Sequence, residues 1–125
     1  MRFNEAVQEF NDWMITIPKK VNWDEYIQEL EDAHANGDVA NFRVANFPKK
    51  MRPGDKCYIV HDGEMKGWTE VKAMKHWPEG FECSSTGQEW PPGKYIQRSC
   101  EFHAIDSPPK ITGFQGVRRK TDGMG

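Results

Sequence analysis

Three cysteines, four histidines and nineteen carboxylates supply the side chains that could do chemistry in this 125-residue chain. Cys100 and His103 stand three apart, with His76 and Cys83 upstream. By type these are metal ligands. On a strand, though, positions three apart face opposite ways, and structural zinc needs four convergent ligands. No metal site is expected. Glu70, Glu101 and His103 are the right types for an acid–base set across neighbouring strands. In so short a chain such residues are expected as surface polar groups. Cys57 lies in an apolar strand pattern, which predicts an inert thiol. No glycine-rich phosphate loop or dinucleotide fingerprint is present. No catalytic residue and no cofactor is therefore assigned. The unusual feature is aromatic: 12% of the residues, with five tryptophans. Some should fill the core, and more than one is expected to line a site.

The bulk properties narrow the class. A chain of this length favours one domain, and it can bury roughly 65–70% of its unfolded surface without staples. The net charge of −2 argues against a general nucleic-acid coater, which relies on dense positive charge. A local basic face is still available from Lys19-Lys20, Lys49-Lys50, Arg52 and Arg118-Arg119-Lys120. The three cysteines form no CxxC pair, and Glu5 and Glu9 stand where a signal peptide needs an apolar run. No apolar run approaches a membrane-spanning length. The expectation is a cytoplasmic protein with free thiols and no membrane partner.

The elements that must position a site are organised around residues 51–71. Pro53-Gly54-Asp55 is a turn signal. Residues 56–60 follow as a strand, His61-Asp62-Gly63-Glu64 as a hairpin turn, and residues 65–72 as the return strand. Gly67 inside that strand has no β-carbon, so a bulge, a barrel corner or a ligand can come close. Upstream, Phe3, Val7, Phe10 and Met14 have helical spacing and predict a first helix over 4–12. Residues 13–17 read as a strand that Pro18 ends. Asn22, with Glu25 three residues on, predicts a capped helix over 23–35, stopped by Asn36-Gly37. Trp23, Tyr26, Ile27, Leu30 and His34 share one face, expected as core with a surface histidine at its edge.

Residues 39–46 read as another strand. Residues 75–92 break the pattern and predict a long loop. Residues 95–105 alternate as one long strand. Its face with Ile96, Cys100, Phe102 and Ala104 is assigned to the core, Arg98 excepted. Pro108-Pro109 breaks the chain, and 111–119 predicts a last strand. The order is helix, strand, helix, then about five strands.

At this point the residues resemble the PUA-like superfamily and are most similar to its EVE domains, with ASCH and YTH domains as relatives. The similarity rests on Asn46-Phe47-Pro48-Lys49-Lys50-Met51-Arg52-Pro53-Gly54-Asp55, with Gly67 and then Glu70-Val71 in the return strand. Arg43 before the Asn-Phe pair and Trp13 at the first strand also look familiar. The tight likeness covers about residues 43–71. The GxKxxExR pattern of ASCH domains is not met: from Gly37 the later positions hold Val39, Phe42 and Val44.

The resemblance implies an α+β fold: a small mixed β-barrel of about five to six strands with two helices. Residues 1–119 would form the single domain and 120–125 a mobile tail. It also implies a cleft between the helix after strand one and the barrel, taking an extruded, modified base. Flipping a base costs a few kcal/mol, and stacking returns roughly 1–3 kcal/mol per base. The candidates for stacking are Trp13, Tyr58, Trp68 and Trp77. Lys19, Arg43, Asn46 and Gln97 are the candidates for polar contact. The competing expectation puts Trp13 and Tyr58 in the core, and pairs Arg43 with a carboxylate such as Asp24. The function expected is non-catalytic recognition of a modified base, nucleotide or short nucleic-acid segment. One alternative is a small hydrolase of a modified nucleoside using Lys19, Lys20, Glu70 or Glu101. The other is a protein-interaction module presenting Trp77, Phe81 and Trp90 on the 75–92 loop.

Overall fold

The computed structural model describes residues 11–82, 87–112 and 117–119. Its elements are β1 (Asp12–Ile17), α1 (Trp23–Ala35), β2 (Val39–Val44), β3 (Lys56–His61), β4 (Glu64–Trp77), β5 (Phe81–Glu82), β6 (Glu89–Trp90), β7 (Gly93–Ser99), β8 (His103–Ala104) and β9 (Val117–Arg119). The domain is sheet-dominated, with one helix among the described residues. Most of the expected 4–12 helix, and the 120–125 tail, lie outside the described residues. Asp12 already belongs to β1. No described helix is long and apolar enough to cross a membrane.

The main sheet is mixed and runs β2-β7-β4-β3-β1-β9, with β8 added beside β4. β1 and β3 are parallel; the other pairs are antiparallel. Among the described residues the sheet does not close into the expected mixed barrel: β2 and β9 end the path, unpaired with each other. Closure requires every strand to find two neighbours. Only the 14-residue β4 has length to spare, pairing first with β3 and then with β7. β9 has three residues.

The local signals explain most of the elements. The Asn22 side chain accepts from the Glu25 amide at 3.0 Å, and Gly37 supplies the positive φ of 75° that stops α1. Asp62 and Gly63 have φ of 49° and 76°, the two positive angles a tight hairpin demands. Alternation then divides the strands. Trp13, Ile15 and Ile17 of β1 enter the main core with Cys57, Ile59, Val71 and Ile96. Met14 on the opposite face joins Val60, Met65 and Ile111 in a smaller cluster. The aromatic face of α1 packs on the main core through Trp23 and Tyr26.

Two spans differ from expectation. The long loop is shorter, because β4 continues to Trp77 and β5 pairs antiparallel with β6 in a small sheet of their own. The rings of Phe81 and Trp90 stack across it, 5.8 Å apart and parallel within 1°, the kind of cross-strand aromatic pair that stabilises a ribbon. The long strand expected over 95–105 is interrupted after Ser99. There the Ser99 hydroxyl accepts from the Glu101 amide at 3.1 Å, a local bond that competes with the ladder.

Gly67 has a packing reason. A bulge falls between Ile59 and Val60, opposite the Met65–Gly67 segment. On β4's other side, β8 pairs at Gly67 and Trp68. A Cβ on Gly67 would lie 2.3 Å from the His103 carbonyl oxygen and 2.4 Å from the Phe102 ring. The backbone oxygen has no rotamer to escape into. Gly67→Ala is expected to destabilise the fold by about 1–3 kcal/mol, the usual cost of overpacking. Urea denaturation of the variant checks this.

Candidate functional site

The eight expected ligand residues line neither the cleft beside α1 nor the hollow around Lys49 and Lys50, though Tyr58 and Trp68 stand opposite each other in the β3–β4 register. Trp13 is 6% exposed, and its Nε1 donates to Asp55 Oδ2 at 2.7 Å, so its ring is core. Tyr58 is half-buried against the smaller cluster. Lys19 is 83% exposed beside Asp62 at 3.5 Å. Asn46 is exposed and accepts from Lys94 Nζ at 3.3 Å. Trp68 stacks on His103 with centroids 4.0 Å apart, under the Lys56 ammonium at 4.6 Å. Trp77 packs on Phe81. Gln97 stands opposite Asn41 in the β2–β7 register.

Arg43 does turn away from the core face of Phe42 and Val44, as alternation requires. That turns it away from α1 as well. It pairs in register with Tyr95, lies over Gly93, and its Nη2 donates to the Pro92 carbonyl at 2.8 Å.

A cleft of about 430 Å³ opens elsewhere, between the C-terminal half of α1 and the start of β2. Tyr26, Leu30, Asp38, Asn41, Trp90 and Arg98 define its walls. None of the eight expected residues lines it. Each wall has a local cause. The capped helix delivers Tyr26 and Leu30. The Gly37 turn reverses the chain and places Asp38 just before the edge strand β2 and Asn41 on it. The β5–β6 hairpin brings Trp90 against the opening.

Arg98 is the central residue. The expectation left it out of the core, yet it is 2% exposed. Alternation puts it on the buried face with Ile96, and β7 is covered on that face by α1. Nη1 donates to Thr69 Oγ1 at 3.2 Å and Nη2 to the Tyr26 hydroxyl at 3.3 Å. Both partners are neutral. Its Nε–H has no partner, and neither have Asp38 Oδ2 and Asn41 Oδ1. Three cleft residues thus each carry one buried polar atom with unmet hydrogen-bonding capacity, which ordinarily costs about 1–3 kcal/mol apiece.

The guanidinium shapes its surroundings. Burial pushes the Cys57 thiol up to about 11, and the nearby Arg98 charge pulls part of that back. Burial also raises the Cys100 thiol; Arg98 opposes the rise and Asp38 adds to it. Both cysteines are free and buried, so at neutral pH they are protonated, inert neighbours. Cys83 lies outside the described residues. Among the described residues no three His, Cys, Asp or Glu side chains are grouped to hold a metal ion. Lys19, Lys20, Glu70 and Glu101 do not line the cleft.

The sequence carried one signal for this site: an arginine at a core-facing register position between Ile96 and Cys100. Tyr26 was read as packing and Trp90 as a partner contact. Asp38 and Asn41 had no distinguishing pattern. No protein-family model matches this chain, and no curated protein matches it.

The Cys57 thiol predicts a pH dependence. It ionises at about 11 in the fold against 9.0 as its ordinary value. Between those limits the unfolded chain has given up a proton that the folded chain keeps. Its contribution is therefore full below pH 9 and declines as pH rises toward 11. The stability gap between wild type and Cys57→Ala should narrow across that window. Urea titrations of both proteins at pH 7, 9 and 10.5 measure it.

Proposed function

We propose that the chain is a non-catalytic binding module, PUA-like in organisation, whose α1–β2 cleft takes a base or nucleoside. The observation that carries this reading is the trio of unpartnered polar atoms on the cleft walls. One is a donor, Arg98 Nε–H, and two are acceptors, Asp38 Oδ2 and Asn41 Oδ1; all three are buried within residues that line the cleft, so a ligand reaches them by displacing what covers them. A base edge presents acceptors and donors in one plane, and a ligand that satisfies such groups is separated from one that leaves them empty. Tyr26 and Trp90 supply π-faces in the same walls. Stacking on such a ring adds roughly 1–3 kcal/mol.

The charge of the lining narrows the class. Among the described lining residues, Glu29, Asp32 and Asp38 set three carboxylates against one cation, Arg98. A phosphate entering here meets like charge, whereas a neutral or cationic base does not. The cleft therefore selects the base and leaves the phosphate outside, which suits an extruded or modified base better than a free nucleotide.

Titration of tryptophan fluorescence with a panel of modified and unmodified nucleosides tests the reading. At least one nucleoside should bind, and more tightly than its 5′-monophosphate. Asn41→Ala should weaken it about tenfold, within the 1–3 kcal/mol of a good polar contact to a base. Arg43→Ala, outside the cleft, should leave the affinity unchanged. No response to any nucleoside at millimolar concentration, or equal affinity in wild type and Asn41→Ala, contradicts it.

A further inference from the structure

The chain brings a second group of residues together far from one another in sequence. Lys49, Lys50 and Arg52 come from the turn before β3, Arg119 from β9, and Asn11 from the start of β1. With Met51 they line an open hollow of about 490 Å³. Among the described residues four cationic side chains share it and no carboxylate lines it, in a chain of net charge −2.

The arrangement is braced. The Asn11 side chain donates from Nδ2 to the Lys50 carbonyl at 3.1 Å. Its Oδ1 accepts from Arg119 Nη2 at 2.6 Å. One amide thus ties the lysine turn to β9 and fixes both walls. The adjacent carboxylate, Asp55, is fully buried beneath. It accepts from the backbone amides of Asn11 and Arg52 at 2.9 and 3.0 Å and from Trp13 Nε1 at 2.7 Å. Its oxygens are engaged inward and do not pair with the lysine ammoniums.

We infer that this hollow is a binding site for a run of consecutive phosphate groups. Four cations on one braced surface are more than a single phosphate needs. Arg supplies a planar fork for phosphate oxygens and Lys a mobile point charge. The site stands on its own residues and shares none with the α1–β2 cleft, so it holds whether or not that cleft takes a base. The same chemistry is offered by a free polyphosphate and by the phosphodiester backbone of a nucleic-acid strand.

Inorganic tripolyphosphate and an eight-nucleotide single strand are the two probes, each titrated between 50 and 200 mM salt. For the strand, four phosphate contacts predict a log–log salt slope of about −3 and an affinity loss of about 50-fold across that range. Lys49→Ala/Lys50→Ala should weaken binding at least tenfold and make the slope shallower by about 1 to 2. Lys72→Ala/Lys75→Ala removes the same charge from elsewhere on the surface and should change the slope little. Melting temperatures verify folding, and Arg119→Ala repeats the test from the opposite wall. Binding of both probes identifies a backbone site, and binding of tripolyphosphate alone a free-polyphosphate site. Equal losses in the two lysine pairs, or no binding of either probe at 50 mM salt, overturns the inference.

Discussion

A guanidinium buried to 2% exposure, held by two neutral hydroxyls, is the constraint around which the rest of this fold is arranged. Removing such a charge from water costs several kcal/mol even after relaxation. The scaffold offsets that cost with donors' partners drawn from separate elements: Arg98 on β7, Thr69 on β4 and Tyr26 on α1. The charge therefore pins the helix to the sheet at the mouth of the cleft. Burial opposes the charge and the Tyr26 oxygen supports it, leaving the guanidinium's pKa above its ordinary value. The neighbouring thiols remain neutral for the same reason, since a low-dielectric surrounding disfavours any further charge.

The second buried charge has a different outcome, and the contrast separates scaffold from site. Asp55 accepts three N–H bonds, so both of its oxygens are engaged. It joins the turn before β3 to β1 and closes that region. The Nε–H of Arg98 has no partner, and neither has Asp38 Oδ2 or Asn41 Oδ1. Native interiors rarely leave such groups unmet. Three of the four such atoms among the described residues belong to residues lining one cleft, and that concentration marks it as the candidate; the fourth is the Trp77 indole N–H.

Local structure was legible where a single residue type has one physical use. Asn22 and Gly37 bounded α1 at both ends, Asp62-Gly63 named the hairpin, and Gly67 announced a close approach. Sheet order was not legible, because which strands pair depends on lengths and long-range packing that no short window contains. The 75–92 span shows the limit: its glycines and prolines read as loop, while the Phe81–Trp90 pairing that makes it a ribbon joins residues nine apart. Arg98 was missed for a related reason. Its alternation register was correct, but side-chain type argued for solvent, and the hydroxyls that make its burial tolerable come from residues 29 and 72 positions away. Tyr26 was rightly read as packed on the core, yet its hydroxyl, not its ring, is what the cleft depends on.

The central claim is that the unpartnered groups beside α1 are where ligand binds. The Arg98 side-chain Nε–H resonance, followed by nuclear magnetic resonance while nucleosides are added, tests it most directly. The account predicts that this signal and the amides of residues 38–41 shift together and saturate at one dissociation constant. Saturable shifts confined to Trp13, Trp68 or Trp77, with Arg98 and residues 38–41 unmoved, would contradict it.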